Sequence, residues 1–450
     1  MTPAQSVALD LYVEHLEEAA FLYEQRRHGL LDDPDLAWMD LADTEDRLEA
    51  HLDALVLGGD LALALCRERV EEGDAGELYA ALCVCCRQQR KDLLVAALDS
   101  VEADDEERVL AVRDALASDL PDAWADTLTD WLSHGDVWRQ RVVAYVIGSR
   151  RIAVAPRLVA ALPEAAPDAV PDLLRALGRV GTDAERSAIW SYVRHEHAAV
   201  REAATLALLR LGGQAAVKHA AVHIPAPWAM LLLGVSGGAE HRAAIHAHAA
   251  AEGATPDGLL ALGLLGDPQS VALFLDSLQD PALAEAAALA LHLLTGADLD
   301  EDVFVPEEID EDELFDDELE AFRRGEVPTR PDGEPFGTTR TRLSQDREAW
   351  GAWWEGQKGR FQSGLRYRLG EPCTPTSVVR ALESKRMPRK MRQLLSEELI
   401  IRYSAGAYFE ADAAVAAQGR GLGEAKRQVA QHDPPFQPGR WYLAGRLLTG

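Results

Sequence analysis

The chain has few cysteines, and their placement is a poor basis for disulfides. Only 5 occur in 450 residues, and three of them are crowded at Cys83, Cys85 and Cys86. Chains that depend on a disulfide framework are mostly small secreted domains with an even number of spaced cysteines. The cysteine content therefore predicts a reducing compartment, in which these residues serve as small buried hydrophobic side chains.

Long apolar runs are absent as well. No stretch of eighteen uninterrupted apolar residues exists, and Met1 to Leu11 lacks a basic segment followed by an apolar core. A membrane-spanning helix needs about 20 mostly apolar residues, and a signal peptide needs those two regions in that order. We therefore expect no membrane partner and a cytoplasmic location.

Basic residues are scarce relative to acidic ones. The chain has 45 Lys and Arg against 75 Asp and Glu, a formal net charge of -30. Most of such a surface would repel a phosphate backbone, so we expect no nucleic-acid partner. The balance is uneven, because residues 297–336 hold 17 acidic and 3 basic residues, whereas residues 337–450 hold 11 acidic and 19 basic ones. Only the C-terminal part has the charge to attract an anion.

What the middle of the chain does have is glycine at intervals of roughly thirty residues, each at the close of an Ala- and Leu-rich run. These glycines are Gly148, Gly178, Gly212, Gly237, Gly266 and Gly296. Self-similarity at periods of 20 to 50 residues is typical of solenoids, in which each helical hairpin buries its apolar face against its neighbours. The spacing therefore predicts an architecture, and it is silent about a reaction.

The clearest repeat runs from Gly266 to Gly296. Asp267-Pro268 and Asp280-Pro281 each place an N-cap aspartate before a proline that suits the first helical position. Apolar residues follow each start at helical spacing, which predicts two short helices and a tight turn. Residues 135–296 resemble the HEAT-repeat class in its short form of about thirty residues. The fold class that we predict is all-α, a HEAT-like α-solenoid formed by a right-handed stack of helical hairpins.

Composition divides the chain into four parts. They are an N-terminal helical hairpin (1–60), the HEAT-like solenoid (61–296), an acidic linker or insert (297–336) and a Trp/Arg-rich C-terminal helical segment (337–450). Acidic residues and prolines dominate the linker, in which one short helix is predicted near 313–324. In the opening hairpin, His15 and His51 are candidates for a hydrogen bond that fixes the register of its two helices.

The C-terminal segment carries the candidate partner-binding residues. They are Trp350, Trp353, Trp354, Arg360, Phe361, Arg366 and Tyr367. The three tryptophans, at i, i+3 and i+4, share one helical face. One interpretation is that they attach the segment to the last groove of the solenoid. The other is that the aromatic rings and arginines contact a protein partner or an anionic group.

A second resemblance joins the two ends of the chain. It rests on His15-Leu-Glu-Glu-Ala-Ala-Phe-Leu-Tyr23 and Leu48-Glu-Ala-His51 in the opening hairpin, and on Trp350-x-x-Trp353-Trp354 and Arg366-Tyr367 near the end. Together these segments resemble a proteobacterial family of HEAT-repeat proteins of unassigned activity that are often encoded beside type VI secretion effector and adaptor genes. The resemblance covers essentially the whole length and implies a role in handling a secreted partner. It supplies no catalytic residues.

Motifs that suggest chemistry have simpler explanations. Gly234-Val-Ser236-Gly-Gly238 matches the GxSxG nucleophile elbow, but that motif needs a strand before the serine and a helix after it, whereas this run belongs to a helical repeat. His219 and His223 are spaced i, i+4 but lack a nearby carboxylate in register. We therefore expect neither catalytic residues nor a metal or other cofactor.

The function that we expect from the sequence is a non-enzymatic scaffold or adaptor that binds another protein, such as a secreted effector. Its contact surface would be the concave face of the solenoid or the Trp/Arg-rich segment, and an acidic solenoid suits a basic or amphipathic partner. An immunity protein that neutralises a toxin is one alternative, and a HEAT-type lyase or hydrolase is another. The identity of the partner and the oligomeric state stay open.

Overall fold

The computed structural model describes residues 3–31, 36–306, 316–325, 336–405, 409–432 and 436–448. Most of these residues are helical, and the strands among them are few and short. The all-α expectation is confirmed at this level. Among the helices in these ranges, none has the length and the hydropathy that crossing a membrane requires.

The chain begins with a helical hairpin. The first helices are α1 (Pro3–Leu31), α2 (Ala42–Leu57), α3 (Gly59–Glu72), α4 (Ala75–Arg87), α5 (Lys91–Ser100), α6 (Glu106–Asp119) and α7 (Ala125–His134). The Nδ1 atoms of His15 on α1 and His51 on α2 lie 3.0 Å apart, so the expected hydrogen bond between the rings is confirmed. Tyr23 stacks on Tyr79 with ring centroids 3.9 Å apart, which joins α1 to α4.

The middle of the chain continues as short helices. They are α8 (Val137–Arg150), α9 (Ala155–Ala161), α10 (Val170–Val180), α11 (Arg186–Trp190), α12 (Ala198–Arg210), α13 (Ala215–Ala221), α14 (Pro227–Ser236), α15 (Ala239–Glu252), α16 (Pro256–Leu265), α17 (Val271–Ser277) and α18 (Ala284–Thr295). From α4 onward, every second helix packs against the next helix of the same series. We call α4, α6, α8, α10, α12, α14, α16 and α18 the helix row.

The regularly spaced glycines have two different roles. Gly266 and Gly296 end α16 and α18 in the left-handed conformation, as expected of glycines that close a helix. Gly148 and Gly178, although they also follow Ala- and Leu-rich runs, lie inside helices of the row. A Cβ at Gly178 would stand 2.6 Å from Cα of Ala207, so this glycine lets α10 and α12 approach closely.

The described residues of the acidic stretch include a strand and a short helix. Asp300–Pro306 forms strand β1, which pairs antiparallel with β2 (Gly337–Leu343), and helix α19 (Asp316–Arg323) lies within the range predicted for a short helix. The strand differs from the linker expectation. Val303, Phe304 and Val305 favour a strand, and β2 supplies the arginines that balance the acidic residues of β1. Arg342, for example, pairs with Glu301 at 2.9 Å.

The C-terminal segment packs along the helix row. Its further elements are α20 (Arg347–Gln357), β3 (Tyr367–Arg368), β4 (Glu371–Pro372), α21 (Pro375–Glu383), α22 (Arg389–Tyr403), α23 (Val415–His432), β5 (Tyr442–Leu443) and β6 (Arg446–Leu447). Helix α22 packs against α12 and α14, β3 against α18, and α23 against α2. The segment therefore contacts helices from α2, near the N-terminus, to α18, the last helix of the row.

Candidate functional site

A cluster of buried charges lies where the C-terminal segment meets the helix row. Arg368 lies on β3, and Arg366 lies directly before this strand. Glu398 and Arg402 lie one turn apart on α22. All four side chains are completely buried. Oε2 of Glu398 accepts a hydrogen bond from Nη2 of Arg368 at 2.8 Å, and Oε1 accepts one from Nη2 of Arg366. We call these four residues the arginine cluster.

The arginines of this cluster bind the ends of row helices. Arg366 and Arg368 donate to the carbonyl oxygens of Leu264 and Leu265 in the last turn of α16. Arg402 donates to the carbonyl oxygens of Gly234 and Gly237 at the end of α14, both at 2.9 Å. The last carbonyls of a helix have no partner within the helix and carry partial negative charge, so guanidinium groups suit them.

Backbone hydrogen bonds extend the same attachment. The amide of Tyr367 donates to the carbonyl oxygen of Gly266 at 2.8 Å. The amide of Gly370 donates to the carbonyl oxygen of Leu294 at 3.0 Å. A Cβ at Gly266 would lie 2.4 Å from the carbonyl oxygen of Tyr367, and one at Gly296 would lie 2.6 Å from the carbonyl carbon of Leu369. The chain thus needs glycine at these helix ends for a second reason, which is close approach of the C-terminal segment.

Charges in the cluster are balanced only in part. Burial alone would raise the pKa of Glu398, but the neighbouring Arg368, Arg366 and Arg402 outweigh burial and lower it. Burial and the charge of Arg366 lower the pKa of Arg402. One carboxylate therefore stays ionised among three guanidinium groups, and backbone carbonyls supply the remaining acceptors. These interactions attach the C-terminal segment to the ends of α14 and α16.

A second line of ion pairs lies across α8, α10 and α12. Glu410 forms ion pairs with Arg151 at 3.1 Å and with Arg179 at 2.9 Å, and Glu397 on α22 pairs with Arg210 at 2.5 Å. Burial raises the pKa of Glu410, with the arginines opposing it. Farther along the same stretch, the carbonyl of Asp412 accepts from Arg26 on α1 at 2.9 Å. The C-terminal segment therefore covers part of the surface of α8, α10 and α12.

Four of the candidate partner-binding residues are buried inside the protein. Trp350 is 1% exposed and donates from Nε1 to the carbonyl of Ser344 at 2.7 Å. Arg366, Tyr367 and Phe361 are 0%, 2% and 9% exposed. Trp350, Phe361 and Tyr367 share a hydrophobic core with α16, α17 and α18. These contacts attach the C-terminal segment to the last three helices of the middle part of the chain.

The other three candidates are at least partly exposed. Trp353 and Trp354 are partly exposed on α20, Arg360 is exposed, and the ring of Phe361 lies beneath the tryptophans, its centroid 6.4 and 5.1 Å from theirs. The hydroxyl of Tyr367 accepts from the amide of Gln362 at 2.8 Å, which fixes the loop that presents Arg360. We call Trp353, Trp354 and Arg360 the aromatic patch.

The motifs that suggested chemistry are structural in the part of the chain that is described. Ser236 is the last residue of α14, is completely buried, and donates to the carbonyl of Leu232 at 2.6 Å, so the GxSxG match is a helix end. Nε2 of His246 lies 3.1 Å from Oγ of Ser270, yet Ser270 is also completely buried. A nucleophile needs access to a substrate, which neither serine has.

His219 and His223 pack edge to face, with ring centroids 4.7 Å apart, and His223 contacts Trp228. No group of three or more His, Cys, Asp or Glu side chains in the described ranges is placed to hold a metal ion. Comparison of the chain with known protein families and with curated proteins found no match to either.

Proposed function

We propose that the protein is a non-enzymatic scaffold that binds another protein through the aromatic patch. The observation that carries this proposal is the partial exposure of Trp353 and Trp354, which pack on the buried Phe361, while Arg360, the residue before Phe361, is exposed. Tryptophan and arginine are the residues that most often dominate binding energy at protein interfaces. An amphipathic partner segment with an apolar side chain for the rings and a carboxylate for Arg360 fits this chemistry.

The helix row supports a HEAT-like solenoid as the architecture of this scaffold. Serial packing of every second helix, with Gly-to-Ala contacts between neighbours, is what a stack of helical hairpins requires. Since the C-terminal segment covers part of that stack through the arginine cluster and Glu410, the aromatic patch replaces the concave face in our proposal. The partner that we propose is a secreted effector of a type VI secretion system, on the resemblance given above.

The experiment is a pull-down with the full-length protein from its source cells, followed by mass spectrometry and by binding measurements with the captured protein. We expect Trp353→Ala and Arg360→Ala each to weaken binding by about 30-fold or more, as hot-spot residues do. Phe21→Ala is the matched control, because Phe21 is 58% exposed on α1, outside the patch. Arg366→Ala is unsuitable, since it would remove a buried ion pair.

Two results would contradict the proposal. Unchanged affinity in both patch variants would reject this surface, and equal weakening by Phe21→Ala would show that the effect is not local. If the captured protein is a toxin and the chain protects cells against it, the immunity function replaces the adaptor function.

A further inference from the structure

A large cleft separates two loops of the helix row from the C-terminal segment. Its volume is about 810 Å³, and it is lined by residues 181–183, 186, 190 and 209–215 of the row and by residues 400–401, 404, 444 and 446 of the C-terminal segment. Small-molecule sites commonly have volumes of about 300–1,000 Å³ and lie where two parts of a protein meet. The aromatic patch is not part of this cleft.

The lining is basic in a protein that is otherwise strongly acidic. Arg186, Arg210 and Arg446 line the cleft, with Asp183 as the one acidic residue of the lining. Arg210 is 7% exposed and paired with Glu397, so it contributes little net charge. Arg186 and Arg446 still outnumber Asp183, whose side chain is 79% exposed and lies 3.7 Å from Arg186. Against a net charge of -30, this local positive charge would concentrate anions.

The guanidinium group of Arg186 is oriented by a hydrogen bond to the backbone. Its Nε donates to the carbonyl of Leu211 at 2.7 Å, which fixes the guanidinium plane. Its Nη2 lies 3.7 Å from the exposed carboxylate of Asp183, a contact too long for a hydrogen bond, which an oxygen of a ligand can replace. Arg446 is exposed on β6 and makes no ion pair with the described residues. Fixed guanidinium groups bind phosphate and carboxylate oxygens in a bidentate manner, at lower entropic cost than flexible lysines.

The same cleft offers a flat surface and further hydrogen-bonding groups. Trp190, at the end of α11, is partly exposed in the lining, and the exposed Gln214 lies on the opposite loop. Gly212, with φ of 77°, lies in the turn that follows α12 and leaves this part of the wall without a side chain. An indole ring can stack on a planar ring of a ligand, and this stacking is independent of charge.

We propose that this cleft binds a small anion of nucleotide size, in which phosphate or carboxylate oxygens contact Arg186 and Arg446 and a flat ring stacks on Trp190. The assignment is independent of the protein-binding function. It rests on the coincidence of two accessible arginines, a stacking surface and adequate volume in one cleft.

Isothermal titration of the full-length protein tests the proposal with four probes: ATP, AMP, pyrophosphate and citrate. We expect ATP to bind most tightly, because it has both the phosphates and the ring. Arg446→Gln should weaken ATP and pyrophosphate by about 10- to 100-fold, the loss expected for a charge-assisted hydrogen bond. Trp190→Leu should weaken ATP and leave pyrophosphate unchanged.

Control variants separate binding from folding. Arg446 makes no ion pair with the described residues, so its replacement should preserve the thermal melt, whereas Arg186→Gln also loses the bond to Leu211. Arg141→Gln is a matched change at an arginine whose side chain is 58% exposed, outside the cleft. The proposal is overturned if none of the probes binds at millimolar concentration, if Arg446→Gln and Arg141→Gln bind ATP equally, or if citrate binds as tightly as ATP.

Discussion

Glu398 accepts a hydrogen bond from Nη2 of Arg368 at 2.8 Å, between two side chains that are completely buried. Removal of the carboxylate would leave guanidinium groups buried without a counter-charge. We therefore expect Glu398→Gln to lower the free energy of unfolding by about 3–5 kcal/mol, the cost typical of breaking a buried ion pair. Urea unfolding followed by circular dichroism measures this change.

Glu424→Gln on α23 is the control for that substitution. Glu424 pairs with Arg427 at 2.7 Å, but both side chains are substantially exposed, so water replaces the lost partner. An equal loss of stability in the two variants would contradict a special role for the buried cluster.

The lowered pKa of Glu398 makes its contribution depend on pH. Because the arginines lower the pKa in the folded state, the unfolded chain takes up this proton at a higher pH than the folded chain. The stabilisation is therefore complete above the unfolded value of about 4.3, and it is lost as the pH falls through the lower folded value. We expect the stability difference between the wild type and Glu398→Gln to shrink as the pH falls through this range. A difference that stays constant down to the acid transition would contradict the assignment.

Local patterns explain why the opening hairpin could be predicted from sequence. His15 and His51 lie on two successive helices, so helical spacing and a short connection suffice to bring them together. The helix ends at Ser236, Gly266 and Gly296 are likewise determined by residues that are close in sequence. Features of this kind depend on a few neighbouring residues.

The arginine cluster could not be predicted, because its partners are far apart in sequence. Arg402 binds the carbonyl of Gly234, 168 residues away, and a single sequence carries no signal for such pairs. Arginine is mostly exposed in proteins, and one of the two interpretations of the sequence accordingly placed Arg366 on a partner-binding surface. One signal did exist on α22, where Arg392, Leu395, Leu399 and Arg402 share a helical face. This spacing predicts an amphipathic helix, but it does not identify the helix ends that the two arginines contact.

The close contact at Gly266 gives a prediction about backbone geometry. Gly266→Ala should cost about 1–2 kcal/mol for its positive φ and about 1–3 kcal/mol more for overlap with the carbonyl oxygen of Tyr367. Gly59→Ala is the matched control, since Gly59 also has positive φ but nothing lies within 4 Å of its added Cβ. Chemical unfolding of the two variants measures the difference. Equal losses would mean that the C-terminal segment does not approach Gly266 closely.

The cysteines should be inert in the folded protein. All five are buried, and burial raises the pKa of the Cys85 thiol to about 12, so little reactive thiolate forms at neutral pH. We expect negligible reaction with Ellman's reagent in native buffer. In concentrated urea, each protein molecule should release five equivalents of the coloured thionitrobenzoate, one for each cysteine. Rapid reaction of even one thiol in native buffer would show that a buried cysteine is accessible through local opening.

The attachment of the C-terminal segment predicts that the helix row depends on it. A chain that ends at residue 297 would leave the carbonyls of Gly234, Leu264 and Leu265 without their arginine donors and would expose the core that Trp350 and Tyr367 help to close. Since unpaired buried carbonyls and exposed apolar surface both destabilise the folded state, we expect lower solubility and a lower urea midpoint than for the full chain. A chain that ends at residue 448 controls for truncation itself. Unchanged solubility and midpoint in the shorter chain would mean that the segment is independent of the row, and the arginine cluster would then need another explanation.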